Sequence, residues 1–282
     1  MRTIKPKAEF YSELNPLKRI ERVARVCWGT EDKITESSAK PFCEKLLKMG
    51  HTSPFEHARV RVPFPEYLAV LDRTGNYDRP YGFDNRVTSD HLRYCVLLNA
   101  RDYLAMGGTL DELETLELAD DFATVRFTVD IGISRELCRH RQFSFMERST
   151  RYVNMKDGVD FVLPFPFEWV EDVITGVCYN DFPDAFADPR YQAWWFLCEA
   201  AENTYQVLLK EGCPPQEARS VLPLSTATVL YVTGTYDQWH DMLKLRAATS
   251  AHPQMQLAMK LMLDNPDCPK EIREFNGNGE RK

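Results

Sequence analysis

The sequence predicts an α+β fold in which one mostly antiparallel sheet is packed with helices. The stretch VRFTVDIGI, residues 125–133, alternates apolar and polar or small residues, which is typical of a strand with one buried face. The stretch TATVLYVTG, residues 226–234, is rich in β-branched residues and predicts a second strand. Elsewhere, apolar residues recur at helical spacing, so helices are expected to cover the sheet.

Start and stop signals place the other elements along the chain. Asn15 and Pro16 are a capping residue and a first-turn proline, and Gly50 and Gly212 are suited to end helices. The segment HTSPFEH is interpreted as a polar loop, and a short strand that includes residues 60–64 follows it. RYVNM and DFVLPFPF, at 151–155 and 160–167, are expected to be extended. Helices are predicted at 15–27, 38–49, 191–210, 214–219, 236–246 and 254–263.

Residues 65–121 are interpreted as an insertion within a single domain that spans residues 1–282. The segment contains turn residues, then a helix-like stretch near 90–105. It ends in the run TLDELETLELADD, which has six acids and no base. We interpret that run as a solvated face.

A concentration of positive charge follows the first strand. Ser134 is expected to cap a helix that begins SRELC and leads into RHRQFSFMERSTRY, residues 139–152. Five of these fourteen residues are basic. Cations at this density repel one another unless an anion lies among them. A candidate cradle for a phosphate or another small anion is therefore formed by Arg139, Arg141, Arg148 and Arg151.

The overall composition disfavours several classes of protein. The net charge is −7, which disfavours a nucleic-acid partner, and no run of 18 apolar residues is present to span a membrane. The N-terminus does not resemble a secretory signal. The eight cysteines form no Cys-x-x-Cys pair, which favours free thiols in the cytoplasm. The six histidines lack metal-ligand spacing, so no metal site is expected.

Two further interpretations of the basic stretch are open at this point. The arginines and Glu147 could form a salt-bridge network at a subunit contact. Ser149 and His140 could form a hydrolase dyad, although no Gly-x-Ser-x-Gly motif surrounds the serine. The chain contains neither a dinucleotide-binding glycine motif nor a P-loop.

The basic stretch resembles the signature of the flavin-dependent thymidylate synthases. The family pattern is Arg-His-Arg-x-x-Ser with a later Glu-x-Ser-x-Arg-Tyr, and residues 139–152 match it in register. Four other segments resemble the family in the same order, namely ARVCWG at 24–29, GHTSPFEH at 50–57, EARSVLPL at 217–224 and LKLR at 243–246.

The resemblance implies a single catalytic domain with the fold of this family, which would convert dUMP to dTMP. The added carbon would come from 5,10-methylenetetrahydrofolate. NADPH would reduce the cofactor FAD, and reduced FAD would supply the hydride. The resemblance also implies a homotetramer with active sites where subunits meet.

The resemblance assigns roles to individual residues. Arg246 is expected to be catalytic, because it would stabilise negative charge on the pyrimidine. Contacts with dUMP are expected from Glu136, Arg139, Glu147, Ser149, Arg151, Arg219 and Arg246. Contacts with FAD are expected from His57, Arg139, His140, Arg141, Glu147, Thr235 and Asp241.

Three departures from the family pattern stand out. Met146 occupies a position where asparagine is common, Cys27 one where serine is common, and Glu136 one where glutamine often contacts substrate. We expect Glu136 to pair with Arg135 or Arg139, because a carboxylate beside an anionic ligand is unfavourable unless it is paired. The departures keep open a protein that binds nucleotide or FAD without turnover. A nucleic-acid-binding module is a third hypothesis, which the acidic pI disfavours.

Overall fold

A computed structural model describes residues 1–74, 87–90, 93–164 and 188–274. The predicted insertion includes residues 75–86 and 91–92, and the predicted extended segment includes residues 165–167; these residues lie outside the described part of the chain. The described strands are β1 Arg2–Ile4, β2 Lys7–Phe10, β3 Arg59–Pro63, β4 Val87–Asp90, β5 Arg93–Asn99, β6 Glu117–Leu118, β7 Phe122–Asp130, β8 Ser144–Glu147, β9 Asp160–Val162 and β10 Ala227–Thr235. The described helices are α1 Pro16–Val26, α2 Ala39–Lys48, α3 Phe64–Thr74, α4 Ala100–Ala105, α5 Leu110–Thr115, α6 Ile131–Leu137, α7 Pro189–Lys210, α8 Pro215–Ala218, α9 Tyr236–Arg246, α10 Pro253–Asp264 and α11 Lys270–Arg273.

The main sheet has the strand order β2-β7-β10-β8, and each neighbouring pair is antiparallel. The two strands predicted most clearly from sequence, β7 and β10, pair along their full lengths at its centre. Helices α9 and α10 cover one face and bury Trp239, Met242 and Met259 against it. The predicted α+β class with antiparallel pairing is confirmed.

The number of sheets was predicted incorrectly. A second antiparallel sheet has the order β4-β5-β3-β6, and β1 pairs with β9 in parallel. The stretch near 90–105, predicted to be helix-like, is strand β5 followed by the short helix α4, which Asn99 caps. The side chains of Cys95, Val96, Leu97 and Leu98 are all buried, so β5 shows no apolar–polar alternation.

The acidic run at 109–121 is ion-paired rather than simply solvated. Arg59 pairs with Asp121, Arg61 with Asp120, and Lys40 with Asp111. Hydrogen bonds from Arg73 and Thr109 hold the pKa of Glu112 well below its usual range, at about 2. The run therefore attaches α5 and β6 to cations on α2, α3 and β3.

The junction between β7 and α6 differs from the prediction. The strand ends at Asp130, whose Oδ1 accepts a hydrogen bond from the Ile133 amide at 2.8 Å. Asp130, rather than Ser134, is therefore the cap of α6. Its Oδ2 also accepts a hydrogen bond from Gln254 on α10 at 2.7 Å. Because α6 begins at Ile131, Arg135 and Glu136 lie in its last turn.

Several local predictions are confirmed and three are wrong. Asn15 caps α1, and Gly50 and Gly212 follow helix ends with φ of 71° and 92°. HTSPFEH is largely a 3₁₀ helix with a buried core rather than a polar loop. Residue 64 begins α3 instead of ending a strand, and residues 151–155 form no strand. No helix in the described part of the chain is long and apolar enough to span a membrane.

Candidate active site

An open cleft lies where α6, the end of β8 and the segment after α8 meet. Its volume is about 610 Å³. We call it the arginine cleft, and it is lined by Ile131, Arg135, Glu147, Arg148, Ser149, Thr150, Arg219, Ser220, Leu222, Pro223, Leu224 and Thr228. Three of the residues expected to bind dUMP, Glu147, Ser149 and Arg219, are thus brought together.

The charges of the arginine cleft are unbalanced. Three arginines and one carboxylate line it. Among the described residues, the Arg219 guanidinium donates only to the Thr150 hydroxyl, at 3.0 Å. Glu147 accepts from the Ser134 hydroxyl at 2.7 Å. Among the described residues, the side chains of Arg135 and Arg148 have no hydrogen-bond or ion-pair partner. The excess of unpaired cations favours an anionic ligand.

Arg246, the predicted catalytic residue, lies in a second cluster at the end of α6. Its Nε donates to His140 Nε2 at 2.7 Å, its Nη1 to Glu136 Oε2 at 2.9 Å, and its Nη2 to the Glu136 carbonyl at 3.2 Å. The Arg246 side chain retains 22% exposure. The pairing of Glu136 with Arg246 corrects the expectation that Glu136 pairs with Arg135 or Arg139. The reason is that the last residue of α9 is folded against the last turn of α6.

His140 is neutral in this arrangement. Burial and, secondarily, the charge of Arg246 lower the pKa of His140. Its Nε2 accepts the Arg246 hydrogen bond, so the ring proton lies on Nδ1. The Ser149 hydroxyl instead accepts from the Arg151 amide at 3.2 Å. No hydrogen bond joins Ser149 to His140 in the described structure, which argues against the hydrolase dyad.

Three further arginines of the basic stretch are exposed. Arg139, Arg141 and Arg151 have no carboxylate partner among the described residues, and Arg151 lies over the ring of Tyr152 at 5.4 Å. An internal salt-bridge network is therefore not what these arginines form. Their free guanidinium groups are available to ligands or to another subunit.

The two histidines of GHTSPFEH differ in accessibility. His57, predicted to contact FAD, is completely buried, and its Nδ1 lies 2.7 Å from the Thr233 hydroxyl. His51 is exposed and stacks on Trp28 at 6.0 Å, and Trp28 in turn stacks on Tyr152 at 6.1 Å. In this structure His57 has no surface to offer a ligand, so its contact with FAD stays a prediction. The exposed aromatic stack beside the basic stretch was missed because its members are distant in sequence.

Acid is expected to destabilise the protein partly through His57. Burial lowers the pKa of His57 to about 3. In the unfolded chain the His57 imidazole has a pKa of about 6.5. Below that pH the unfolded chain binds a proton at His57 that the folded chain does not, so the free energy of unfolding falls as the pH falls towards 3. The His57 contribution is about 1.4 kcal/mol per pH unit in this window. Urea unfolding of wild type and His57→Gln between pH 7 and pH 4.5 measures it, and equal pH slopes would contradict it.

Three other positions have clear local roles: Thr235 and Asp241, which were predicted to contact FAD, and Met146, which departs from the family pattern. Thr235 forms a capping box with Gln238 at the start of α9. Asp241 is exposed and pairs with Lys244 at 3.2 Å. Met146 is buried against Val23, Val26 and Tyr231, so its side chain contributes to packing. Neither Thr235 nor Asp241 lines the arginine cleft.

Nearby thiols are not activated. Burial and, secondarily, Glu147 raise the pKa of Cys27, and the same causes raise that of Cys138 to about 11. Both thiols therefore stay protonated at neutral pH and are poor nucleophiles. Among the described residues, no group of three or more His, Cys, Asp or Glu is placed to hold a metal ion.

Comparison with known proteins identifies the family. A family model described as "Thymidylate synthase complementing protein" matches residues 10–64 and 101–269. The chain belongs to this family. The matched segments of the thymidylate synthase complementing protein family include the arginine cleft and Arg246. The unmatched residues 65–100 fall within the predicted insertion, and the extent of the insertion and the single domain stay predictions.

Named relatives agree with the family match. The chain is 27% identical over 188 residues to a "Probable flavin-dependent thymidylate synthase" of Paramecium bursaria Chlorella virus 1, covering 65% of this chain and 76% of the relative. It is 33% identical over 133 residues to the "Flavin-dependent thymidylate synthase" of Mycobacteroides abscessus, covering 44% and 50%. The matched part thus spans about half the length of that bacterial relative. The resemblance stated from the sequence is confirmed.

A solved structure with a similar chain is the UMP/dUMP methylase PolB from Streptomyces cacaoi bound with 5-Br dUMP. The similarity covers 93% of this chain and 89% of that chain, with 22% identity and a TM-score of 0.42.

Proposed function

We propose that the chain is a flavin-dependent thymidylate synthase that methylates dUMP to dTMP. The observation that carries the proposal is the arginine cleft, in which unpaired guanidinium groups and Ser149 converge within the segment that matches the family. Guanidinium groups bind phosphate bidentately, so the cleft suits the phosphate of a nucleotide. The proposal extends to the methyltransferase class of reaction, with 5,10-methylenetetrahydrofolate as carbon donor and NADPH as reductant.

Residues of the chain have distinct parts in this reaction. Uracil C6 becomes electrophilic when negative charge on the pyrimidine carbonyl groups is stabilised, and Arg246 is proposed to provide that stabilisation. Three of its five N–H groups are used on Glu136 and His140, which fixes the plane of the guanidinium and leaves two free. Arg219, Ser149 and Arg151 are proposed to hold the phosphate and sugar. Glu147 is held by Ser134 and is proposed to orient the nucleotide.

The exposed residues of the basic stretch fit FAD. Arg139 and Arg141 have no acidic partner among the described residues, so they are free to bind a pyrophosphate. Neutral His140 lies between them in sequence and is proposed to contact the flavin as well. When bound, FAD supplies the hydride chemistry, while the protein binds and orients the reactants. Contacts of His57, Thr235 and Asp241 with FAD are also part of the proposal; for His57, which is completely buried, such a contact requires its surroundings to open.

A homotetramer with active sites at subunit contacts is part of the proposal. The residues expected to bind dUMP are divided between the arginine cleft, the Arg246 cluster and the exposed arginines. A second subunit could supply the groups that one chain keeps apart. The helix α7 presents Phe196, Leu197 and Val207 to solvent within the described part of the chain, and such apolar exposure favours a protein contact.

The proposed location is the cytoplasm. The seven described cysteines form no disulfide with one another, which is consistent with a reducing compartment. A nucleic-acid partner is not proposed, because the net charge of −7 opposes it.

The second candidate is a protein that binds nucleotide or FAD without turnover. It is favoured by the ion pair of Arg246 with Glu136, a carboxylate at a position where the family pattern often has glutamine. Two experiments separate the candidates. Purified protein titrated with FAD is expected to show bound-flavin absorbance, as both candidates require. Expression in a bacterial strain that lacks thymidylate synthase is expected to remove its thymidine requirement. Bound flavin without growth would favour the non-catalytic protein. If the protein neither binds flavin nor supports growth, both candidates are wrong.

Replacing Ser149 with alanine tests its role as a ligand. The hydroxyl is proposed to donate to the phosphate, and loss of one hydrogen bond to a charged group corresponds to about a tenfold weaker affinity. Ser149→Ala is therefore expected to raise the KM for dUMP about tenfold and to change kcat by less than about threefold. Thr204→Ala, an exposed substitution on α7, is the control. Complete loss of turnover with normal dUMP affinity would instead indicate a nucleophile.

A further inference from the structure

Arg148 is a feature of this chain that the family pattern does not prescribe. In Glu-x-Ser-x-Arg-Tyr, position 148 is a variable position between Glu147 and Ser149. Its backbone is fixed, because the Arg148 amide donates to the Val229 carbonyl at 2.9 Å and continues the pairing of β8 with β10. The side chain lines the arginine cleft from this rigid base.

The guanidinium of Arg148 lacks an acceptor. Its Nε is buried and has no hydrogen-bond partner in the described structure. A buried donor without an acceptor is unfavourable, and more so when the group is charged. The adjacent carboxylate does not fulfil this need, because Glu147 accepts from Ser134 and forms no ion pair with Arg148. The two Nη groups of Arg148 are not buried and have no hydrogen-bond partner among the described residues either, so an anionic ligand in the cleft would supply an acceptor to the accessible part of the same charged group.

The charge of the cleft indicates what kind of anion fits. Arg135, Arg148 and Arg219 against Glu147 give its lining a formal net charge of +2. A phosphate monoester carries about −1.5 to −2 charges near pH 7 and has three acceptor oxygens. A nucleoside without phosphate would leave the cations unpaired. The match favours the dianion of a nucleoside monophosphate.

We propose that Arg148 is a phosphate-binding residue of this chain, acting beside Arg219, and that it makes binding depend on the dianionic 5′-phosphate of the nucleotide. The inference rests on the proposed function for the identity of the nucleotide. Its physical basis, a partnerless buried donor in a positively charged cleft, belongs to the cleft itself.

A packing role for Arg148 is the competing explanation. The aliphatic part of an arginine can stabilise its surroundings without any role for the charge. Arg148→Met keeps a long apolar side chain and removes the guanidinium, so it separates the two explanations. Arg126→Met is the matched control, because Arg126 lies on β7, pairs with Glu9 at 2.7 Å and does not line the cleft.

The test compares ligands with and without the phosphate. Binding of dUMP, deoxyuridine and inorganic phosphate to FAD-loaded protein is measured by calorimetry, with thermal unfolding as a check on folding. Arg148→Met is expected to weaken the affinity for dUMP by roughly 10- to 100-fold. The affinity for deoxyuridine is expected to change by less than about twofold. The affinity for inorganic phosphate is expected to fall in parallel with the affinity for dUMP. Arg148→Lys is expected to recover part of the loss, and Arg126→Met is expected to bind as wild type.

Two results would overturn the inference. One is an unchanged affinity of Arg148→Met for dUMP and phosphate. The other is an equal loss for dUMP and deoxyuridine, which would indicate packing. Failure of the proposed function is distinguishable, because wild type would then bind inorganic phosphate in an Arg148-dependent manner but form no dTMP.

Discussion

Replacement of Arg246 by alanine is expected to lower turnover by about 100- to 1,000-fold, the usual effect of removing one group that stabilises developing negative charge. The protein is expected to keep its FAD, because the side-chain hydrogen bonds of Arg246 go to Glu136 and His140 and not to Arg139 or Arg141, which are proposed to bind the pyrophosphate. The loss should appear in kcat more than in the KM for dUMP. Steady-state kinetics and the visible flavin spectrum measure the two effects.

Two substitutions control the Arg246 prediction. Arg246→Lys keeps the charge but not the planar set of donors, so it is expected to recover only part of the activity. Lys244→Ala lies two residues away and breaks only an exposed pair with Asp241, so it is expected to act as wild type. Loss of flavin from Arg246→Ala would contradict the assignment. Because Arg246 also donates to the Glu136 carbonyl, thermal unfolding must first show that the variant is folded.

Trp239→Ala is expected to be the most destabilising single substitution considered for this chain, at about 3–5 kcal/mol of unfolding free energy. Trp239 is completely buried, and its ring packs edge-to-face on Phe143 at 4.8 Å. Its Nε1 donates to the Ala123 carbonyl at 3.2 Å. Removal of the ring would leave a cavity between α9 and the main sheet. Urea unfolding, followed by far-UV circular dichroism, measures the loss.

Trp239→Phe is the matched control for this cavity. Phenylalanine keeps most of the ring volume and loses the indole hydrogen bond, so a loss of only about 1–2 kcal/mol is expected. A loss as large as that of alanine would show that the hydrogen bond, rather than packing, dominates. Because α9 ends at Arg246, Trp239→Ala is also expected to lower activity at temperatures where it is still folded.

Strongly patterned elements could be predicted from the sequence, and elements whose patterns are masked by tertiary contacts could not. The pairing of β7 with β10 unites the two stretches with the clearest strand signals. Strand β5 was missed because its central residues are buried on both faces. The end of β7 was misplaced because Ile131 and Ile133 continue the alternation, while the Asp130 side chain starts a helix.

The candidate site shows the same division between local and spatial information. Three residues that the motifs single out, Glu147, Ser149 and Arg219, lie together in one cleft, and their contacts with dUMP stay predictions. Sequence could not show that Glu136 pairs with Arg246, because these residues are 110 positions apart. It also could not show that His57 is buried while His51 is exposed, since both belong to one short polar-looking segment. Nothing in the sequence distinguishes Arg148 from the other basic residues, because the lack of an acceptor for its Nε is a property of the folded chain.

The most direct test of the central claim is the identity of the nucleotide formed from dUMP. Purified protein with FAD is incubated anaerobically with dUMP, NADPH and 5,10-methylenetetrahydrofolate, and the nucleotides are separated and identified by mass. The account predicts dTMP in amounts exceeding the enzyme, and none when any one reactant is omitted. Recovery of unchanged dUMP from protein that binds both dUMP and FAD would contradict it.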